Sequence, residues 1–151
     1  MKKLLAALVL GAVAALAVTA FALGAARDTY MVGAKLTAKA EVPAAAGVPA
    51  AAKGAFTGDY VENAKGAVLK WRLSFSGLSG PGTAAHIHMG KPGVAGAVLV
   101  PLCGPCKSGQ SGKATVSKAV ISALEAGTAY VNVHTAKNAA GEIRGQIKAS
   151  K

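Results

Sequence analysis

Most kinds of reactive site need residues that this sequence supplies sparingly. Six acidic residues are spread over 151 positions, and none stands with a serine and a histidine in a recognisable nucleophile elbow. Classical hydrolytic chemistry is therefore not expected. Only two cysteines are present, and the chain is long enough to bury a core without several disulfides. Aromatic residues make up 5% of the chain, with Trp71 the single tryptophan. Lysines and arginines outnumber acids to give a net charge of +11, yet Lys35, Lys39, Lys53, Lys65, Lys70, Lys91, Lys107 and Lys113 stand singly rather than in runs. Scattered cations with few aromatics to stack on bases read as a solvated basic surface, so no nucleic-acid partner is expected.

The one long apolar run is at the start. Lys2 and Lys3 precede an uninterrupted stretch from Leu4 to Leu23, followed by Gly24, Ala25 and Ala26. That layout predicts a secretory signal peptide over residues 1–26. The run exceeds the usual hydrophobic region of roughly 7 to 15 residues and approaches the roughly 20 that span a bilayer, so an uncleaved N-terminal anchor is the alternative. Either reading places the protein outside the cytoplasm, as a secreted, periplasmic or cell-envelope protein that meets membrane only through its leader. Residues 27–151 then form a single domain with net charge +9 once Lys2 and Lys3 are set aside.

Beyond the leader the pattern alternates. In AVLKWRLSFSG, Leu69, Trp71, Leu73 and Phe75 fall on one side and Val68, Lys70, Arg72 and Ser74 on the other, the period of two that marks a half-buried strand. Weaker strands are predicted over 34–42, 54–61, 84–88, 97–102, 113–116, 129–134 and 142–148, separated by Gly, Pro and Asn turn signals. The alanine- and proline-rich stretch between the first two reads as a strand end and a long loop. Only residues 117–126 look helical, with Ser117 as the cap and Gly127 as the stop. The expected class is all-β, an immunoglobulin-like or Greek-key sandwich or barrel of seven to eight strands with one short helix.

All three histidines lie in predicted strands. In TAAHIHMG, His86 and His88 are two apart and share a face opposite Ile87; in AYVNVHTA, Tyr130, Asn132 and His134 share a face opposite Val131 and Val133. With the aliphatic residues inward, the imidazoles face outward or into a cleft, and they meet if the two strands are neighbours. Three imidazoles with one position left open suit a single copper or zinc ion. The alternative is that His86, His88 and His134 are ordinary hydrogen-bonded residues. Met89 beside His88 is a soft copper ligand or, more commonly, packing.

The cysteines form Cys103-Gly-Pro-Cys106, the letters of a thioredoxin-like redox motif. That chemistry needs a helix N-terminus after a strand to lower the thiol pKa, whereas KSGQSGK follows Cys106 and no βαβ alternation exists. A thiol-disulfide oxidoreductase is thus the remote alternative. The preferred reading is a local Cys103–Cys106 disulfide, with the thiols as auxiliary copper ligands the lesser one.

The blocks GLSGPGTAAHIHMGKPGVAGAVLVPL and LEAGTAYVNVHTAKNAAGEIRGQI, with AEVPAA and WRLSFSGLSG upstream, resemble the CHRD domain, named from chordin and found in many secreted bacterial proteins. The resemblance runs from about Leu36 to Ile147. It implies a β-rich sandwich or barrel and places the family's signature polar positions at His86, His88, Asn132, His134, Glu142 and Arg144. The family's Asn-Pro-x-Gly turn is here Asn138-Ala139-Ala140-Gly141, which loses the fixed φ of proline. Glu142 and Arg144 read as an exposed charge pair; the sharper alternative has Glu142 or Asn132 orienting an imidazole N–H. A looser similarity to copper-zinc superoxide dismutases, through HxH on a strand, stops there, because three histidines cannot supply two metals. The expectation is a non-enzymatic binding module holding one copper or zinc ion, or else a metal-free structural domain contacting an envelope protein.

Overall fold

The computed structural model describes residues 28–151; the expected leader lies outside them. In chain order come β1 (Thr29–Thr37), a 3-10 turn (Ala38–Ala40), β2 (Lys53–Asn63), β3 (Gly66–Ser76), β4 (Gly82–Met89), β5 (Val98–Cys103), β6 (Gln110–Ser117), α1 (Lys118–Glu125), β7 (Ala129–Thr135), β8 (Ile143–Gln146) and β9 (Lys148–Ser150). All pairings are antiparallel, in the order β5-β4-β7-β8-β1-β2-β3-β6, with β9 also on β1. The end strands β5 and β6 approach one another, so the sheet curls into a nearly closed barrel. Of the two expected architectures, the barrel is the one formed.

Alternation fills it. Leu69, Trp71 and Leu73 of β3 are buried while Val68 is 48% exposed, as the period of two requires. On the far side Ala85, Ile87, Val131, Val133 and Ile143 are wholly buried. The helix carries Val120, Ile121 and Leu124 onto this core; Ser117 Oγ accepts the Val120 N–H, and Gly127 ends it at φ +64°.

Several strands run longer than expected, β1 starting at Thr29 rather than residue 34 and β6 at Gln110 rather than residue 113, and two further differences reshape the sheet. The first strand ends at Thr37 rather than residue 42, because the chain turns at Ala38–Ala40 into the long loop. The last is split: Ile147 leaves the ladder with β1 and its N–H reaches Ala129 O, so β8 and β9 pair with different parts of β1. No helix among the described residues is long and apolar enough to cross a membrane.

The approach of β8 to β1 depends on one missing side chain. A Cβ on Gly145 would lie 2.2 Å from the Lys35 carbonyl oxygen, a backbone contact that cannot be relieved by a rotamer change. At Gly80 nothing lies within 4 Å. Gly145→Ala should therefore reduce the unfolding free energy by about 3 kcal/mol, at the upper end of overpacking costs, while Gly80→Ala stays within about 0.5 kcal/mol. Urea titration of both variants checks this; equal midpoints would refute the close-approach account.

Candidate functional site

The strands β4, β7 and β8 lie side by side, and their register decides what meets on the outer face. Ala84 pairs with His134, His86 with Asn132, and His88 with Tyr130; Asn132 in turn pairs with Arg144, and Tyr130 with Gln146. Residues paired across an antiparallel ladder project to the same side. The outer face therefore carries His86, His88, Tyr130, Asn132, His134 and Arg144, opposite the aliphatic inner face.

The expected triad does assemble. Each of His86, His88 and His134 offers a ring nitrogen, and these three atoms lie within 4.8 Å of one another. The His86 Nδ1 to His134 Nε2 distance is 3.0 Å, close to the roughly 3.3 Å edge of a tetrahedron with metal–nitrogen bonds of about 2.0–2.1 Å. The rings are not freely outward-facing: His88 and His134 are each 8% exposed, with only His86 half-buried.

Loop carbonyls fix the tautomers. His88 Nδ1 lies 2.9 Å from Gly96 O, and His134 Nδ1 lies 2.9 Å from Ala139 O. A carbonyl only accepts, so each Nδ1 carries the proton and each Nε2 of the neutral ring keeps its lone pair. His134 Nε2 then accepts from His86 Nδ1. His88 Nε2 is buried and has no partner. Such an orphaned acceptor costs about 1–3 kcal/mol, and a bound cation is the kind of group that would offset it. The donor set, three neutral imidazole nitrogens, fits copper or zinc.

Two expectations about the surrounding polar residues fail. Glu142 and Arg144 are not an exposed pair: their exposures are 0% and 1%. Nor does Glu142 or Asn132 orient an imidazole. Glu142 precedes β8 and accepts from Ser79 N–H, Ser79 Oγ, Thr135 Oγ1 and Asn138 Nδ2, while Asn132 Nδ2 donates to Ala140 O. Arg144 lies over the Tyr130 ring, 3.4 Å from its centroid, and donates to Lys91 O and Val94 O. Three loops explain the burial: residues 41–52, 90–97 and 136–141 fold over the polar face. They also bring in Glu41, 4% exposed, whose carboxyl is pushed up by burial against the opposing effects of the Val42 N–H, Arg144 and Asn132. The Asn138–Gly141 turn, without proline, is held by Asn138, whose side chain bonds both backbone groups of Ala46.

Ser79, Gly96 and Thr135 carry no signal in the sequence. Glu41 has one in the EVP segment, and Asn138 one as the first residue of the turn that ends at Gly141. Met89 alternates to the side opposite His88 and is 40% exposed. Cys103 and Cys106 form the disulfide, and the chain after them enters β6 rather than a helix; the setting of a redox CxxC is absent here.

The family model of the CHRD domain matches residues 32–147. No curated protein and no solved structure matches the chain.

Burial lowers the His86 pKa, aided by His134 and His88, and burial lowers that of His134 against the bond to Ala139. Burial pushes the Glu142 carboxyl up, but its hydrogen bonds from Ser79, Thr135 and Asn138 outweigh this and hold it below its ordinary value. In each case the unfolded chain binds the proton more readily, so stability is lost on acidification. The metal-free protein should be most stable above the unfolded histidine pKa of about 6.5, decline as pH falls below it, and lose a second contribution below about 4.3 as Glu142 protonates. Urea midpoints measured from pH 8 to 3 test this: His134→Ala should flatten the first decline and Glu142→Gln the second, and unchanged profiles in both would contradict it.

Proposed function

The chain belongs to the CHRD domain family, and from that premise we propose that it is an exported, non-enzymatic binding module that holds one copper or zinc ion through His86, His88 and His134. The observation that carries this reading is the buried, unpartnered Nε2 of His88 beside two further imidazoles whose ligand nitrogens lie within 4.8 Å. His88 and His134 would bind through Nε2, since their Nδ1 protons are held by carbonyls. His86 would bind through Nδ1 after moving its proton to Nε2, which leaves every ligand neutral. Three protein ligands leave a fourth position for water or an exchangeable group. The disulfide suits an oxidising compartment, consistent with export.

A second reading is favoured by one distance. The 3.0 Å contact between His86 and His134 already satisfies two rings without metal, as in a structural or interaction domain that meets another envelope protein. Calorimetry separates the two. The protein should take up about one equivalent of Cu(I), Cu(II) or Zn(II), and His88→Ala should weaken uptake by more than the roughly 10- to 100-fold that changes behind the ligands cost. No uptake of any of the three ions, or uptake unaffected by replacing both His86 and His88, would leave the metal-free reading. Reducing the Cys103–Cys106 disulfide should leave uptake unchanged; an increase would instead make the thiols ligands.

A further inference from the structure

Arg144 is 1% exposed, and no carboxylate lies within ion-pair distance of it among the described residues. Glu41 feels its charge from beyond that distance, and the direct contacts of Arg144 identify what else it does. Its Nη2 donates to Lys91 O and Val94 O at 3.0 and 2.9 Å, both in the 90–97 loop. Its guanidinium carbon stands 3.4 Å from the centre of the Tyr130 ring. Tyr130 belongs to the middle strand of three, with Arg144 reaching it from β8 and His88 from β4. The His88 ring stacks on it at 5.0 Å and 10°. The Tyr130 hydroxyl accepts from Gly96 N–H, and the Gly96 carbonyl accepts from His88 Nδ1. Two routes thus lead from Arg144 to His88, one through the Tyr130 ring and one through the loop, and they rejoin at Gly96.

We propose that Arg144 is a positioning residue for the ion site: it latches the 90–97 loop and the Tyr130 ring so that His88 keeps its proton on Nδ1 and presents a bare Nε2. The inference rests on the metal reading of the triad. Without the latch the Gly96 carbonyl is no longer held against Nδ1, and the orphaned Nε2 is free to take the proton itself. A merely structural role for Arg144 would alter stability and leave the His88 tautomer untouched.

The test combines calorimetry, with Zn(II) and Cu(I) as probes, and long-range proton–nitrogen spectra of the imidazoles, on the full chain and on Arg144→Met, Arg144→Lys and Tyr130→Leu. In the wild type His88 should carry its proton on Nδ1 before and after metal addition. Arg144→Met and Tyr130→Leu should weaken binding about 10- to 100-fold and mix the two His88 tautomers, and Arg144→Lys should restore part of both. Wild-type affinity and an unchanged His88 tautomer in Arg144→Met overturn this inference alone. Absence of uptake by the wild type overturns the metal reading and this inference with it. Should the variants fail to fold, the wild-type spectrum decides: a His88 proton on Nε2 in the metal-free protein overturns the proposal, and one fixed on Nδ1 supports it.

Discussion

The antiparallel register of β4, β7 and β8 is the constraint on which the rest depends. It pairs Ala85 with Val133 and Ile87 with Val131 on the inside, and by the same alternation sets His86 against Asn132 and His88 against Tyr130 outside. A slip of one residue would turn the imidazoles into the core and the aliphatic side chains out. The two faces therefore enforce one another: burial of Ala85, Ile87, Val131 and Val133 fixes where the histidines stand.

The outer face is not a surface in the ordinary sense. It is a polar layer roofed by loops, and its groups are held mostly by backbone. Carbonyls of Gly96 and Ala139 assign the imidazole protons, those of Lys91 and Val94 accept from Arg144, and those of Gly90, Gly127 and Ala129 take the Gln146 amide. Glu142 plays the converse part, drawing Ser79, Thr135 and Asn138 together from separate segments. Donors and acceptors inside such a layer must be matched almost one for one. Among the described residues, Glu41 Oε2, His88 Nε2, Asn132 Oδ1 and Arg144 Nη1 are the buried side-chain atoms left over. Three of them stand on the polar face of β4, β7 and β8 and Glu41 in the loop that follows β1, none of them in the aliphatic core.

The cysteine pair illustrates how context outweighs letters. Cys-Gly-Pro-Cys becomes reactive when a helix N-terminus lowers one thiol's pKa. Here Cys103 closes β5, the Cys106 N–H joins Gly82 O at the start of β4, and the disulfide ties a short turn. So small a loop restrains the unfolded chain little, which makes the bridge a local feature at the barrel rim.

Much of this was legible in the sequence because it follows from local rules. The period of two in β3, the Ser117 cap and Gly127 stop of α1, and the parity of His86, His88 and His134 all depend on residues a few positions apart, and each stands in the structure as read. Parity could say that the histidines share a kind of face, but only strand pairing could make β4 and β7 neighbours. The fate of Glu142 and Arg144 lay beyond local pattern altogether. Charges two apart near a chain end read as solvated, and they are buried because segments from elsewhere in the chain bring their partners, Ser79 to Glu142 from 63 residues away and Lys91 to Arg144 from 53. What the sequence alone determined is the alternation that divides each strand into an apolar and a polar side. What only the tertiary structure decided is which polar sides face one another and what covers them, since loop closure and long-range hydrogen bonding are set by the packing of the whole barrel.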